Sequence, residues 1–287
     1  MPLHRLIEPS QPLIAPAIVA AFDGWIDAGG ASTAAAEHLA GDAEPIVTFD
    51  SDLLYDYRSR RPVLDVVDGT LSELTWPQLS IRRRRLDGRD LLVLTGAEPD
   101  FRWRELAGDV LEAAVRLGVT EWVTFGAIPA AVPHTRPVPV LATASRPGLL
   151  PDDVPQGPQG LLRVPAAAIS AIEHRAAEGG LPAVGFFAQV PHYVGGGYPA
   201  ATIAILEHAV RHLGVELALG DLPDQAMTQR QRLDAALEAD EDSAAYVARL
   251  ETVVDNQELP TGDELVGEIE RFLQQREGGA PGQGPLG

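Results

Sequence analysis

The sequence predicts an α/β protein, a three-layer α/β/α sandwich around a largely parallel mixed sheet, followed by a small C-terminal helical subdomain. Three observations carry that expectation. Short apolar runs alternate with segments of helical spacing through residues 1–220, and such alternation places helices on both faces of a sheet. Beyond Asp221 the strand signal stops and helical spacing continues alone. That same region is strongly acidic, with 15 acidic residues and 5 arginines in 221–277, so about a fifth of the chain carries half of its net charge of −19. The expected organisation is a core domain over 1–220, an acidic helical subdomain over 221–277, and a tail over 278–287 that is disordered by composition.

The elements follow in order. Residues 15–22 form an apolar run bounded by prolines, a buried strand. Asp23-Gly-Trp-Ile-Asp-Ala-Gly-Gly30 turns the chain into a helix over 32–39, and Pro45–Phe49 is a second strand. Residues 81–86 and 91–95 flank Asp87-Gly88, a pair suited to a type I′ hairpin turn. The Arg82–Arg85 block then alternates on a strand as solvated edge arginines. Pro99-Asp100 caps a helix carrying Leu106, Val110, Ala113 and Leu117 and ending at Gly118. A strand over 121–128 leads into GAIPAAVPHTRPVPV, residues 126–140. After a Pro/Gly-rich connection over 146–160 come a helix over 165–178, a strand over 183–190 and the helix Pro199–Leu213, whose Ile203, Leu206, Val210 and Leu213 share one face. Three helices follow over 223–239, 243–254 and 262–276, the last opened by a capping box at Thr261–Glu264.

Composition narrows the chemistry. The chain has no cysteine, which removes thiolate nucleophiles, disulfides and thiolate metal sites. All 22 basic residues are arginine, so Schiff-base chemistry and a Walker A lysine are absent too. The acidic balance argues against nucleic acid as a partner. No apolar run reaches the roughly 18 residues of a membrane span, and the N-terminus lacks the order of a secretion signal, so the expected location is the cytoplasm.

Several constellations are candidates for a cleft or an interface. The Gly24–Gly30 turn joins a strand to a helix, but Asp23 and Asp27 would repel a phosphate and the glycine spacing departs from a dinucleotide fingerprint; a tight turn that buries Trp25 is the preferred reading. Asp23, Asp27 and Asp50 lie near strand ends, where convergence would suit a divalent cation, but three acids among 41 are thin support, and neither a metal nor a cofactor is expected. Asp100-Phe-Arg102-Trp103-Arg104 suits an anchor at the start of a helix or an interface patch. Val132-Pro-His134 and Val190-Pro-His192 each follow an apolar strand and should emerge together where ligands usually bind. No serine elbow or metal-ligand spacing accompanies them. Pro129, Pro133, Pro137 and Pro139 are the stronger signal around His134, Thr135 and Arg136. Each fixes φ, so the segment suits a rigid arm for a subunit contact or a cleft wall.

Taken as an ordered set, Phe22-Asp-Gly-Trp-Ile-Asp-Ala-Gly29, Tyr55-Asp-Tyr-Arg58 with Arg61-Pro62, Glu98-Pro-Asp-Phe-Arg-Trp-Arg104, Val132-Pro-His-Thr-Arg-Pro137 and Val190-Pro-His192-Tyr193 resemble the bacterial branch of the proteasome assembly chaperone two family. The resemblance runs from about residue 22 to 275. It implies a phosphorylase/hydrolase-like α/β/α core with small C-terminal helices, and it implies proteasome subunits as partners, with the α-ring as the docking surface. Relatives that dock on that ring use a C-terminal hydrophobic-Tyr-X tail, whereas this chain ends Gly-Gln-Gly-Pro-Leu-Gly. The expectation is a homo-oligomer, three copies being the working number, that acts as a binding or assembly factor. The alternative is a small-molecule hydrolase or phosphorylase-type enzyme using the cleft near His134, Arg136 and His192.

Overall fold

The computed structural model describes residues 3–256, apart from 152, 153 and 159. Strands β1 (His4–Leu6) and β2 (Ala17–Asp23) open the chain, and one 3-10 turn, Ala28–Gly30, leads into α1 (Ala31–Ala40). Next come β3 (Pro45–Phe49), the single-turn α2 (Ser51–Leu54), and two hairpins, β4 (Val63–Val67) with β5 (Thr70–Thr75) and β6 (Leu79–Leu86) with β7 (Arg89–Ala97). The core then runs through α3 (Trp103–Arg116), β8 (Glu121–Ala130), β9 (Val140–Ala144), α4 (Ala168–Glu178), β10 (Ala183–Pro191) and α5 (Pro199–Leu213). Helices α6 (Leu222–Glu238) and α7 (Glu241–Asp255) follow.

Eight strands form one sheet in the order β1-β3-β6-β7-β2-β8-β10-β9. The middle strands β7, β2, β8 and β10 are parallel, and the outer neighbours pair antiparallel. Along β2, Ala17, Val19 and Ala21 enter the layer with α1 and α5, while Ile18, Ala20 and Phe22 enter the layer with α3 and α4. Alternate side chains of a strand face opposite sides, so an uninterrupted apolar run is what a centre strand covered on both faces requires. The result is the expected α/β/α sandwich. No helix among the described residues is long and apolar enough to cross a membrane.

Local chemistry moves some boundaries. Asp100 does not cap α3: its carboxylate accepts from Asp56 N at 2.8 Å, and the Asp100 and Phe101 amides donate to Leu54 O at 2.9 and 3.1 Å. Helix α3 starts after Arg102, which holds a left-handed φ of 59°. The arginine block is not on an edge either, because β6 lies between β3 and β7. Arg82 pairs with Glu37, Arg83 meets the buried Asp90 at 2.9 Å, and Arg84 donates to the His38 and Leu39 carbonyls at 3.0 and 2.9 Å. Arg84 thereby satisfies acceptors that the end of α1 leaves open. A second Asp-Gly turn, Asp68-Gly69 with φ of 51° and 78°, closes the β4–β5 hairpin as Asp87-Gly88 closes β6–β7. That second hairpin was not expected. The helix expected over 262–276, its capping box and the tail over 278–287 lie outside the described residues.

Candidate functional site

Strands β8 and β10 run side by side and in parallel, with Ala130 opposite Pro191. Their exits therefore bring Val132-Pro-His134 and Pro191-His192-Tyr193 to one end of the sheet. After Pro133 the first exit makes a turn at His134-Thr135, closed by the Arg136 amide donating to Pro133 O at 3.4 Å, which presents His134, Thr135 and Arg136 in sequence.

All three side chains are taken up by α6 and α7 of the same chain. His134 is buried; its Nε2 meets Asp234 Oδ1 at 3.2 Å and its Nδ1 meets Tyr193 Oη at 2.8 Å. A carboxylate only accepts, so Nε2 carries the proton and Nδ1 accepts from the tyrosine hydroxyl. Tyr193 Oη in turn accepts from the His134 backbone N–H at 2.8 Å. Thr135 donates its hydroxyl proton to Glu251. Arg136 grips Asp255 with two parallel bonds of 2.8 Å each and reaches Glu251 at 3.1 Å. From α6, Arg230 donates to the His134 carbonyl at 2.9 Å while holding both oxygens of Asp234 at 2.9 Å.

His192 completes the cluster. Both its backbone N and its Nδ1 lie 3.1 Å from Ala130 O, so Nδ1 is the protonated nitrogen and Nε2 accepts from Tyr246 Oη at 3.2 Å. The rings of His134, Tyr193, His192 and Tyr246 meet edge to face, with centroids 5.6 to 6.4 Å apart. Electrostatics match this wiring. Burial lowers the His134 pKa, and the Arg230 cation adds to that against the pull of Asp234. Burial raises the Tyr193 hydroxyl. Burial works against ionised Asp234, but the Arg230 bonds prevail and lower its pKa; Arg136 lowers Asp255 in the same way. At neutral pH the cluster holds a neutral imidazole beside ionised carboxylates, each matched to an arginine.

These contacts matter because the two helices bury little apolar surface. Only Leu222 of α6 and Val247 and Leu250 of α7 are buried. The loop expected as an arm for a subunit contact or a cleft wall meets the C-terminal helical pair of its own chain. Between the arm, α5 and α6 remains an open cleft of about 520 Å³, walled by Val138, Ile203, Met227 and Leu233.

The other candidates sit elsewhere. Asp23 at the end of β2 accepts from Arg60 at 2.7 Å and from Glu98 N at 3.0 Å. Trp25 is half-buried rather than buried, and its amide donates to Glu98 at 3.3 Å. Asp27 accepts from the amides and hydroxyls of Ser32 and Thr33 at 2.5 to 3.2 Å, which caps the start of α1. Asp50 caps α2 through the Asp52 amide at 3.0 Å. Three acids thus serve three separate tasks, and among the described residues no group of three or more metal-ligating side chains forms. Trp103 donates to Pro99 O at 2.6 Å and anchors the start of α3, while Arg102 stays exposed beside Glu105. Sequence reasoning missed Arg230, Asp234, Tyr246, Glu251 and Asp255. Their signal was the i,i+4 spacing of Arg230 with Asp234 and of Glu251 with Asp255, which aligns each pair on one helix face.

The PAC2 family model matches residues 21–237, a span that holds both strand exits and most of α6. The chain belongs to the PAC2 family. Among solved PAC2-like structures, the Mycobacterium tuberculosis proteasome-assembly chaperone homologue Rv2125 is 38% identical, with a TM-score of 0.74 over 80% of this chain and 99% of that one. The M. tuberculosis protein Rv2714, of unknown function, is 34% identical, with a TM-score of 0.84 over 95% and 96% of the two chains. The archaeal proteasome activator PbaB of Pyrococcus furiosus shares the fold at 16% identity and a TM-score of 0.62, over 82% of this chain and 99% of that one. No curated protein sequence matches the chain.

Proposed function

We propose that this PAC2 protein is a non-enzymatic binding factor of assembly-chaperone type whose partners are proteasome subunits. The observation that carries the reading is its likeness to a proteasome-assembly chaperone homologue across 99% of that chain at 38% identity. The site geometry supports it. An acid/base pair needs a titratable group aimed at a substrate, whereas His134 and Arg136 are spent on α6 and α7, and His192 is spent on a backbone carbonyl and Tyr246. Convergence of Asp23 with these histidines would favour the hydrolase or phosphorylase alternative, and Asp23 is instead paired with Arg60. Self-association accompanies the proposed role, with three copies as the expected number. The test is capture: immobilised protein is offered separated proteasome α and β subunits, half-particles and complete core particles, and bound species are read by native mass spectrometry. Retention of α subunits or half-particles is the expected result. Failure to retain any proteasome species at tens of micromolar removes the reading.

A further inference from the structure

Helices α5 and α6 lie against each other and meet the arm across the cleft of about 520 Å³. Each helix lines it with side chains about one turn apart: Ala200, Ile203 and Ala204 from α5, and Met227 and Leu233 from α6, with Val138 of the arm opposite. The arginines at its rim are already engaged, Arg136 with Asp255 and Glu251, and Arg230 with Asp234. An occupant of this cleft is therefore held through apolar surface rather than by charge. Met227 is 56% exposed, and Leu222 is the one residue of α6 that is buried. A helix draws most of its stability in a protein from packing an apolar face, and α6 leaves that face open to the cleft.

We propose that the cleft is a groove for an amphipathic helix, and that its occupant is residues 262–276 of the same chain. The course of the chain argues for it. Helix α7 ends at Asp255, and Arg136, which holds that carboxylate, also lines the cleft. The chain beyond the described residues thus sets out from the rim. Residues 256–261 reach at most about 20 Å when extended, whereas the part of α6 that lines the cleft, 226–233, is only about 10 Å long. A helix in a groove is held by apolar anchors at i, i+4 and i+7, and Leu265, Ile269 and Phe272 have that spacing. Asp263, Glu264, Glu268 and Glu270 fall outside this stripe. A helix of fifteen residues is marginal alone in water, so the stripe needs a surface such as the cleft. A short tether gives an effective concentration on the order of millimolar, which favours the chain's own segment over that of a second copy. Docking of the segment does not depend on a proteasome partner, but a partner helix entering the groove must displace it.

The chain has no cysteine, so introduced thiols cross-link without background. In the full-length protein, Met227→Cys with Ile269→Cys should join within one chain under mild oxidation, to the same extent at low and high protein concentration. Met227→Cys with Gly267→Cys should join far less, because position 267 falls on the opposite side of that helix. Replacing Leu265, Ile269 and Leu273 together by Ser should speed hydrogen exchange of α6 amides about tenfold while β2 and β8 keep their rates. A synthetic peptide of residues 260–277 should bind that variant and restore α6 protection, and should bind the wild type about tenfold more weakly, since the tethered segment competes. Equal cross-linking from position 267 overturns the proposal, as does unchanged α6 exchange in the triple variant. Cross-links that form only between chains overturn it in favour of a second copy as occupant. Proteasome capture is read separately and bears on none of these outcomes.

Discussion

Replacing His134 by Ala should loosen α6 while leaving the sandwich intact. The imidazole supplies one bond to Asp234, one to Tyr193, and edge-to-face contact with the Tyr193 ring. Removing it leaves the Tyr193 hydroxyl without its acceptor, one carboxylate oxygen short of a donor, and a void in a buried position. Such losses cost about 2 kcal/mol, well inside the range for a buried polar group stripped of partners. Against this, Leu222 is the buried aliphatic side chain of α6, and such a residue contributes about 1.5–3 kcal/mol. The deleted contact is therefore a large share of what keeps α6 in place. In native-state hydrogen exchange, amides of α6 around Asp234 should exchange roughly thirtyfold faster in the variant, since about 1.4 kcal/mol is a factor of ten. Amides of β2 and β8, buried in the sheet, should keep their wild-type rates. Unchanged protection in α6 would refute the reasoning, because it would mean that the helix is held by something other than the His134 contact.

Three further expectations use other parts of the molecule. The His134 pKa is lowered in the docked state, so the undocked state binds more protons below the free value of about 6.5; α6 protection is complete above that value and should decline as pH falls from it through the lowered one, a dependence absent in His134→Ala. Glu173 is half-buried, desolvation raises its pKa, and it accepts from Thr124 Oγ1 at 2.6 Å. Its ionisation costs stability as pH rises from the unfolded value through the raised one, so Glu173→Gln, which keeps the acceptor, should raise Tm by about 3 °C at pH 8 and leave it unchanged near pH 4. Gly96 has φ of 147°, and a Cβ there would lie 2.0 Å from Gln78 O. Gly96→Ala should cost about 3 kcal/mol or more, whereas Gly108→Ala in α3, with nothing within 4 Å of the added Cβ, should be neutral or stabilising in thermal melts.

The sandwich was legible because burial writes itself into spacing. β2 is apolar at every position but its last because both faces are covered, and Pro199–Leu213 shows an apolar stripe because only one is. The misreadings have local causes. Asp100 resembles a cap, but a neighbouring segment, Leu54 to Asp56, competes for the same groups. Four consecutive arginines look solvated, but the strand carrying them is interior, and its charges find Glu37, Asp90 and the end of α1. β4 and β5 escaped because their residues alternate around a bulge and bury nothing, so neither period nor core marks them.

The candidate site was legible only on one side. Pro133, Pro137 and Pro139 announce a stiff exit, and a stiff exit implies that something is gripped, since rigidity reduces the entropy lost on docking. What is gripped lies 96 to 119 residues further on, and no local pattern ties Arg136 to Asp255 or His134 to Asp234. Charge was the available link. The acidic helices need cations, and among the described residues Arg136 and Arg230 meet Asp234, Glu251 and Asp255 there. The surplus acid on α6 and α7 therefore has a structural use before any external partner is considered. A partner that engages these helices must either leave the Arg136 fork in place or supply a cation of its own to replace it. The second case would open the cleft beside His134, and Arg136→Gln would mimic it by removing the cation that holds Asp255 and Glu251.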